Sequence, residues 1–182
     1  MPDSCLFPLS EFYTHAKLPM PAIEVIPGDV VPEPYRTLLV HHNDMTPTLE
    51  THYNSRIHLE ILSRERRGDF YFREVLLRLD GDDCAVEFGA NKVYIGRFAD
   101  DARDMIEAEE LPLGRILREC HVAHNTEAKG FLRVQADALI AEKLGVPAGT
   151  ILYGRKAVIS DPQHRPLSEI VEILPPAPGP RL

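Results

Sequence analysis

Phe70-Tyr71-Phe72-Arg73-Glu74-Val75-Leu76-Leu77-Arg78-Leu79 is the stretch that decides the fold. Its aromatic and aliphatic side chains favour a β-strand, and an acidic turn follows at residues 80–83. Side chains alternate between the faces of a strand, so Arg73 falls in an otherwise apolar row. A guanidinium in such a row is costly unless an anion meets it. The strand therefore predicts either a buried anion site at Arg73 or an internal Arg73–glutamate ion pair that holds two strands together.

A second strand, predicted over residues 166–174, carries the opposite anomaly. Glu172 shares its face with Ile170 and Leu174, so a carboxylate is expected among apolar side chains. Glu169 is the rival carboxylate, but it falls on the other face of the same strand. A buried cation and a buried carboxylate, about a hundred residues apart in sequence, together hint at a functional site.

Composition restricts the classes of protein that the chain can belong to. Its 182 residues are 44% apolar and 26% charged, which is typical of one globular domain with a real core. A net charge of -8 without a basic stripe argues against a nucleic-acid partner. Three cysteines without a CxxC pair, no signal peptide and no long apolar run predict a cytoplasmic protein that is not inserted in a membrane. The histidines lack a metal-ligand spacing, so no metal site is expected.

Proline placement and hydrophobic periodicity predict the organisation of the chain. Eleven of the 16 prolines lie in residues 1–34 and 175–182, so both ends are expected to be extended. The prediction is a proline-rich arm over 1–34, one domain over 35–176 and a tail over 177–182. Short turns between consecutive strands favour antiparallel pairing, and the fold class is α+β with helices covering the sheet. Strands are expected over 57–63, 70–79, 85–95, 131–134, 150–160 and 166–174, and helices over 47–53, 100–110, 115–119 and 137–144.

Five short motifs, in this order and spacing, resemble the chorismate lyase family. They are Phe72-Arg73-Glu74-Val75-Leu76-Leu77, Leu111-Pro112-Leu113-Gly114-Arg115, Leu152-Tyr153-Gly154-Arg155-Lys156, Pro166-Leu167 and Glu172-Ile173-Leu174-Pro175. Asn43-Asp44-Met45-Thr46 is similar to the family's segment ahead of the sheet, and the resemblance covers about residues 36–176. Residues 131–174 also resemble the effector-binding domains of GntR-type transcription regulators, which are related in fold.

The resemblance implies a six-stranded antiparallel sheet with the ligand enclosed beneath flaps. The implied activity converts chorismate to 4-hydroxybenzoate and pyruvate, with no metal or organic cofactor. Carried over residue by residue, the implied substrate contacts are Met45, Arg73, Leu113 and Glu172, with Arg73 and Glu172 in catalytic roles.

Arg155 is a further candidate, for the second carboxylate of chorismate, because a guanidinium matches a carboxylate bidentately. The alternative is an exposed strand residue. A second function also stands: a non-catalytic domain that binds a small aromatic carboxylate, related to regulator effector domains. The first 34 residues do not resemble a winged helix, so that alternative predicts a stand-alone binding domain.

Overall fold

The computed structural model of the chain describes residues 3–176, with side chains from residue 5 onward. Seven α-helices, seven strands and two short 3-10 helices (Gly28–Val30 and Ile95–Arg97) lie in this part of the chain. The helices are α1 (Asp3–Leu6), α2 (Leu9–Ala16), α3 (Tyr35–Leu39), α4 (Met45–Tyr53), α5 (Asp100–Ala108), α6 (Leu113–Glu119) and α7 (Ala138–Leu144). The strands are β1 (Ile23–Ile26), β2 (Ile57–Arg67), β3 (Phe70–Leu79), β4 (Ala85–Tyr94), β5 (Asn125–Gln135), β6 (Ile151–Ser160) and β7 (Pro166–Leu174). The predicted tail at 177–182 lies outside the described residues.

All seven strands form one sheet in the order β1-β5-β6-β7-β4-β3-β2, and every neighbouring pair is antiparallel. The α+β prediction is confirmed, but the strand count of six is wrong by one. The extra strand is β1, which pairs with β5 at the edge of the sheet. No helix among the described residues is long and apolar enough to cross a membrane.

The N-terminal segment differs from the extended arm that its prolines predicted. Pro8 directly precedes α2, and Pro21 and Pro27 bracket β1, so each proline stands outside the interior of an element. Within α2 the buried residues Leu9 and Tyr13 are four apart, which places them on one helical face. The prolines of this segment therefore mark the ends of helices and strands, and the residues between them form regular secondary structure. The domain boundary at residue 35 stays a prediction.

Most of the other predicted elements lie where the sequence placed them. The strands over 70–79 and 166–174 coincide with β3 and β7. Helix α4 begins two residues before its predicted start, at Met45. Pro47 is tolerated there because the N–H groups of the first turn have no partner within a helix. Strand β5 extends beyond its predicted range at both ends.

The two faces of the sheet are covered by different helices. On one face, α2 and α7 pack over a continuous apolar cluster that includes Leu76, Phe88 and Ile173. On the other face there are two apolar clusters, one beneath α5 and α6 and the other beneath α3 and α4. A row of buried polar residues lies between these two clusters, and it lines the candidate site.

Candidate functional site

A small cavity lies between the centre of the sheet and the N-terminal ends of α4 and α6. Strands β3, β4, β6 and β7 form its floor, and residues 44–46 and 112–114 cover it. Its volume is about 40 Å³. Each of the five site residues predicted from the sequence lines it: Met45, Arg73, Leu113, Arg155 and Glu172. The structure therefore brings together residues that are spread over 128 positions of the chain, while their roles stay a prediction.

Arg73 is the dominant charge in the cavity. Its side chain is 1% exposed, and its Nε and Nη1 have no hydrogen-bond partner among the described residues. The guanidinium carbon stands 6.0 Å from the centre of the Tyr71 ring, a distant cation–π contact. Burial lowers the pKa of Arg73 below its usual range, but an arginine keeps its proton in proteins. The Glu109 carboxylate, which accepts a hydrogen bond from Tyr71, attracts the guanidinium electrostatically, but no described carboxylate forms an ion pair with it. The cavity therefore holds a buried guanidinium whose Nε and Nη1 could meet a ligand.

Glu172 and Arg155 form a buried ion pair across neighbouring strands. The two residues are register partners on β7 and β6, and Arg155 Nε donates to Glu172 Oε2 over 2.5 Å. Arg155 Nη1 and Nη2 donate to the carbonyls of His41 and Asn43, in the loop before α4, over 3.2 and 3.0 Å. Arg155 is fully buried, so the reading of it as an exposed strand residue is wrong. The alternative of an internal Arg73–glutamate ion pair is also wrong, because Glu172 pairs with Arg155 and no described carboxylate forms an ion pair with Arg73.

Glu169 lies on the opposite side of the sheet, as strand alternation predicted. It accepts a hydrogen bond from the Tyr94 hydroxyl over 2.8 Å and stands 3.6 Å from Lys156 Nζ. It does not line the cavity. The geometry therefore favours Glu172 over Glu169 as the carboxylate of the site.

The two covering helices meet closely above the cavity. A Cβ at Gly114 would lie 3.1 Å from Thr46 Oγ1, so only a glycine allows this approach without a shift. Arg115 ties α6 to α4 by donating to the Glu50 carboxylate, and to β2 through the carbonyl of Ile57. A volume of about 40 Å³ would hold roughly three water molecules. A ligand with an aromatic ring therefore requires α4 and α6 to separate.

The start of α4 is fastened to β5 by a polar cluster at the mouth of the cavity. Asp44 accepts a hydrogen bond from His124 Nε2 over 2.8 Å and another from the Thr126 hydroxyl. Burial alone would raise the pKa of Asp44, but these hydrogen bonds outweigh burial and lower it. The hydrogen bond to Asp44 raises the pKa of His124, although burial opposes it. An open pocket lined by Asp44, His42, His52 and His124 adjoins the cavity at this point.

Two polar residues of the cavity, Glu87 and Asn91, escaped the sequence analysis. Asn91 is the register partner of Arg73, and Glu87 is the partner of Leu77. Directly paired residues of an antiparallel sheet point to the same face. The β3–β4 turn would not have revealed them, because the register shifts between Leu77 and Arg78. A regular continuation from the turn would have placed Glu87 and Asn91 on the opposite face. Gly89 was instead expected to mark a bulge or a close backbone approach. The structure has no bulge there, and the missing side chain leaves room for the Glu87 carboxyl, whose Oε1 is 2.9 Å from the place of a Cβ.

Within residues 3–176, no group of three or more His, Cys, Asp or Glu side chains is arranged to hold a metal ion. The polar groups that line the cavity are two guanidiniums, three carboxyl groups, an amide and hydroxyls. Such a set suits an organic anion with hydrogen-bonding substituents.

Three proteins of known structure share this fold. PhnF from Mycobacterium smegmatis matches with a TM-score of 0.58 at 16% identity, over 75% of this chain and 65% of that one. The isolated effector domain of PhnF matches with a TM-score of 0.56 at 15% identity, over 74% of this chain and 89% of the domain. The ligand-binding domain assigned to a GntR-family transcriptional regulator from Bordetella bronchiseptica matches with a TM-score of 0.50 at 16% identity, over 66% of this chain and 86% of that domain. YydK from Bacillus subtilis matches with a TM-score of 0.51 at 8% identity, over 67% of this chain and 58% of that one.

These likenesses establish the fold alone, since every identity is below 20%. The chain has the fold of GntR-type effector domains, as the resemblance implied. It spans less than two thirds of full-length PhnF and of YydK. No family model matches the sequence, and no curated protein is detectably similar to it.

Proposed function

We propose that this chain is a non-catalytic domain that binds a small aromatic carboxylate in the cavity above β3, β4, β6 and β7. The observation that carries the proposal is Arg73, a buried guanidinium whose Nε and Nη1 have no hydrogen-bond partner and which forms no ion pair with a described residue. A ligand carboxylate would satisfy those donors bidentately and neutralise the charge. Met45 and Leu113 would contact the ring from above.

The fold relatives support binding as the role of this architecture. Two of them are named as an effector domain and a ligand-binding domain of transcriptional regulators. The charge of the cavity supports the same choice, because Arg155 is already committed to Glu172 and to two carbonyls. One unpaired guanidinium suits one carboxylate, which is what 4-hydroxybenzoate carries. Chorismate carries two.

Calorimetry with 4-hydroxybenzoate at neutral pH tests this proposal. Wild type is expected to bind, and Arg73→Met is expected to lose roughly 2–5 kcal/mol of binding free energy, because the ligand carboxylate would be buried without a partner. Glu169→Gln, on the other face of the sheet, is the control and should bind like wild type. Unchanged affinity in Arg73→Met would remove Arg73 from the site. No binding by wild type at millimolar ligand would contradict the proposal itself.

A second candidate function is the chorismate pyruvate-lyase that the resemblance implied. It is favoured by one observation, that Met45, Arg73, Leu113 and Glu172 line a single cavity. The reaction removes the hydrogen at C4 of chorismate and expels enolpyruvate from C3, which aromatises the ring. Aromatisation supplies much of the driving force, so positioning and electrostatics would suffice. Glu172 would hydrogen-bond the 4-hydroxyl or assist the proton transfer.

Incubation of the pure protein with chorismate in the presence of EDTA separates the two candidates. The lyase predicts release of 4-hydroxybenzoate and pyruvate in equal amounts, and a binding domain predicts neither above the uncatalysed rate. If product forms, Glu172→Gln should lose about 10²–10⁴-fold in rate where Glu172 moves the proton. Glu169→Gln should keep wild-type turnover. The reverse pattern would place the reacting carboxylate on the other face.

A further inference from the structure

Three almost completely buried side chains in the cavity, Arg73, Glu87 and Asn91, each carry at least one polar atom without a hydrogen-bond partner. Glu87 is 4% exposed and Asn91 is 6% exposed. Both lie on β4, where Asn91 is the register partner of Arg73 on β3 and Glu87 is the partner of Leu77. Glu87 Oε2 and Asn91 Oδ1 have no hydrogen-bond partner within the described residues, as is true of Arg73 Nε and Nη1. A buried polar atom without a partner is destabilising, and native proteins retain few of them. Three together, lining one cavity, indicate a site built for a polar ligand.

Gly89 brings Glu87 and Asn91 to the same point. The position that a Cβ would take at Gly89 is 2.9 Å from Glu87 Oε1 and 3.7 Å from Asn91 Oδ1. The carboxyl and the amide therefore converge over the backbone of β4, where no side chain separates them. Arg73 stands directly across from Asn91 on the neighbouring strand. The arrangement offers a place for a carboxylate at Arg73 and a place for a second polar group between Glu87 and Asn91.

We propose that Glu87 and Asn91 determine the specificity of this site by holding a hydroxyl group of the ligand, whose carboxylate lies on Arg73. This inference rests on the proposed carboxylate-binding function. A hydroxyl both donates and accepts a hydrogen bond. It would donate to the amide oxygen of Asn91 and accept from the protonated carboxyl of Glu87. The ligand class is therefore a hydroxy-substituted monocarboxylic acid, and neither an unsubstituted acid nor a dicarboxylate fits it.

The electrostatics of the cavity support a protonated Glu87. Burial raises the pKa of Glu87 well above its usual range, the Glu172 carboxylate raises it further, and Arg155 opposes both. Glu172 is neutralised by Arg155, and the other acidic group of the lining, Asp44, is held by His124 and Thr126. When Glu87 is neutral, the ligand carboxylate pairs with the positive charge of Arg73. A second carboxylate on the ligand would lie near Glu87 and Glu172, and the lining residues of the cavity include no further cation to neutralise it.

Calorimetry at pH 7 with benzoate, 3-hydroxybenzoate, 4-hydroxybenzoate and terephthalate tests the inference on wild type, Glu87→Gln and Glu87→Leu. Wild type should bind at least one hydroxybenzoate tenfold or more tightly than benzoate, and terephthalate at least tenfold more weakly than that isomer. Glu87→Gln should keep the preference, because a neutral amide still donates. Glu87→Leu should lose it, and should fold well because it removes an unpartnered polar group. Glu169→Gln is the control and should match wild type.

The outcomes separate this inference from the function on which it rests. Loss of the hydroxyl preference in Glu87→Leu but not in Glu87→Gln supports the inference. Two results would overturn the inference and leave carboxylate binding intact. One is equal binding of benzoate and both hydroxybenzoates by wild type, and the other is a hydroxyl preference that survives in Glu87→Leu. Loss of the preference in Glu87→Gln would overturn the inference that Glu87 donates a hydrogen bond to the ligand hydroxyl as a protonated carboxyl. If wild type binds none of the four acids, both the inference and the proposed function fail.

Discussion

At the scale of single residues, Arg73 and Arg155 show how one side chain type serves two purposes. Both are buried on the same face of the sheet, and both line the cavity. Arg155 donates to a carboxylate and two loop carbonyls, whereas Nε and Nη1 of Arg73 donate to no group in the described chain. A buried charge that is compensated supports the fold, and one that is not weakens it. Arg73, which has no ion-pair partner in the described chain, is therefore expected to lower the stability of the ligand-free protein.

The same substitution should consequently have opposite effects at the two positions. Arg73→Met is expected to raise the free energy of unfolding of the ligand-free protein by at least about 1 kcal/mol, since an apolar side chain of similar volume replaces an unpaired charge. Arg155→Met is expected to lower it by about 3–5 kcal/mol, because Glu172 would be left buried without its cation. Urea denaturation of both variants beside wild type measures the difference. Equal losses in the two variants would mean that the charge of Arg73 is compensated in solution.

At the scale of elements, the covering helix α4 is fixed at Asp44, the residue that directly precedes it. Asp44 links that end to β5 through His124 and Thr126, and the neighbouring loop carbonyls are held by Arg155. The pKa of His124 in the folded protein is raised above 6.5. The stability that its charged form adds is therefore fully present below pH 6.5 and is lost as the pH rises through the folded pKa. The folded pKa of Asp44 is lowered, so its contribution is lost only at acid pH. The link is therefore strongest between about pH 4 and 6.5.

His124→Gln should cost more stability at pH 5.5 than at pH 8.5. A hydrogen bond to a charged partner contributes about 1.5–3 kcal/mol and a neutral one about 1, so the penalty should shrink by roughly 1 kcal/mol across this range. Thr126→Val is the matched control, because it removes the other hydrogen bond to Asp44 without removing a titrating group. Its penalty should be the same at both pH values. Urea unfolding at the two pH values checks this, and a His124→Gln penalty that grows with pH would show that His124 is uncharged in the folded protein.

Elements with strong periodicity were predictable from the sequence, and the details of the site were less so. Strands β3 and β7 were predictable because each is a short run rich in β-branched, aromatic or aliphatic residues and is bounded by a turn. Arg73 and Glu172 stood out because each breaks an apolar face. Glu87 and Asn91 did not, since their meaning depends on the register between β3 and β4. The Arg155–Glu172 pair could not be assigned either, because a register shift between Ile159 and Ser160 changes which residues lie opposite each other in the β6–β7 hairpin.

At the scale of the whole molecule, the N-terminal segment completes a layer of the fold. Helix α2 covers the face of the sheet away from the cavity, with Leu9 and Tyr13 fully buried in the cluster beneath it. The Tyr13 hydroxyl donates to Asp137 over 2.8 Å, which also caps α7 by accepting from the Ile140 N–H over 2.9 Å. The two helices on this face are thus tied together at one carboxylate. The segment is part of the core and separate from the site.

Leu9→Ala tests whether the N-terminal segment is integral to the fold. Leu9 is fully buried in the cluster shared with α7 and the sheet, so its truncation should cost about 2–5 kcal/mol of unfolding free energy. Leu18→Ala is the matched control on the same segment, because Leu18 is 43% exposed, and it should change stability by less than about 0.5 kcal/mol. Urea denaturation followed by circular dichroism measures both. Equally small losses would mean that residues before Tyr35 form an appendage in solution, as their prolines first suggested. A large loss confined to Leu9→Ala would make α2 a structural layer, whose contribution reaches the cavity only through the sheet.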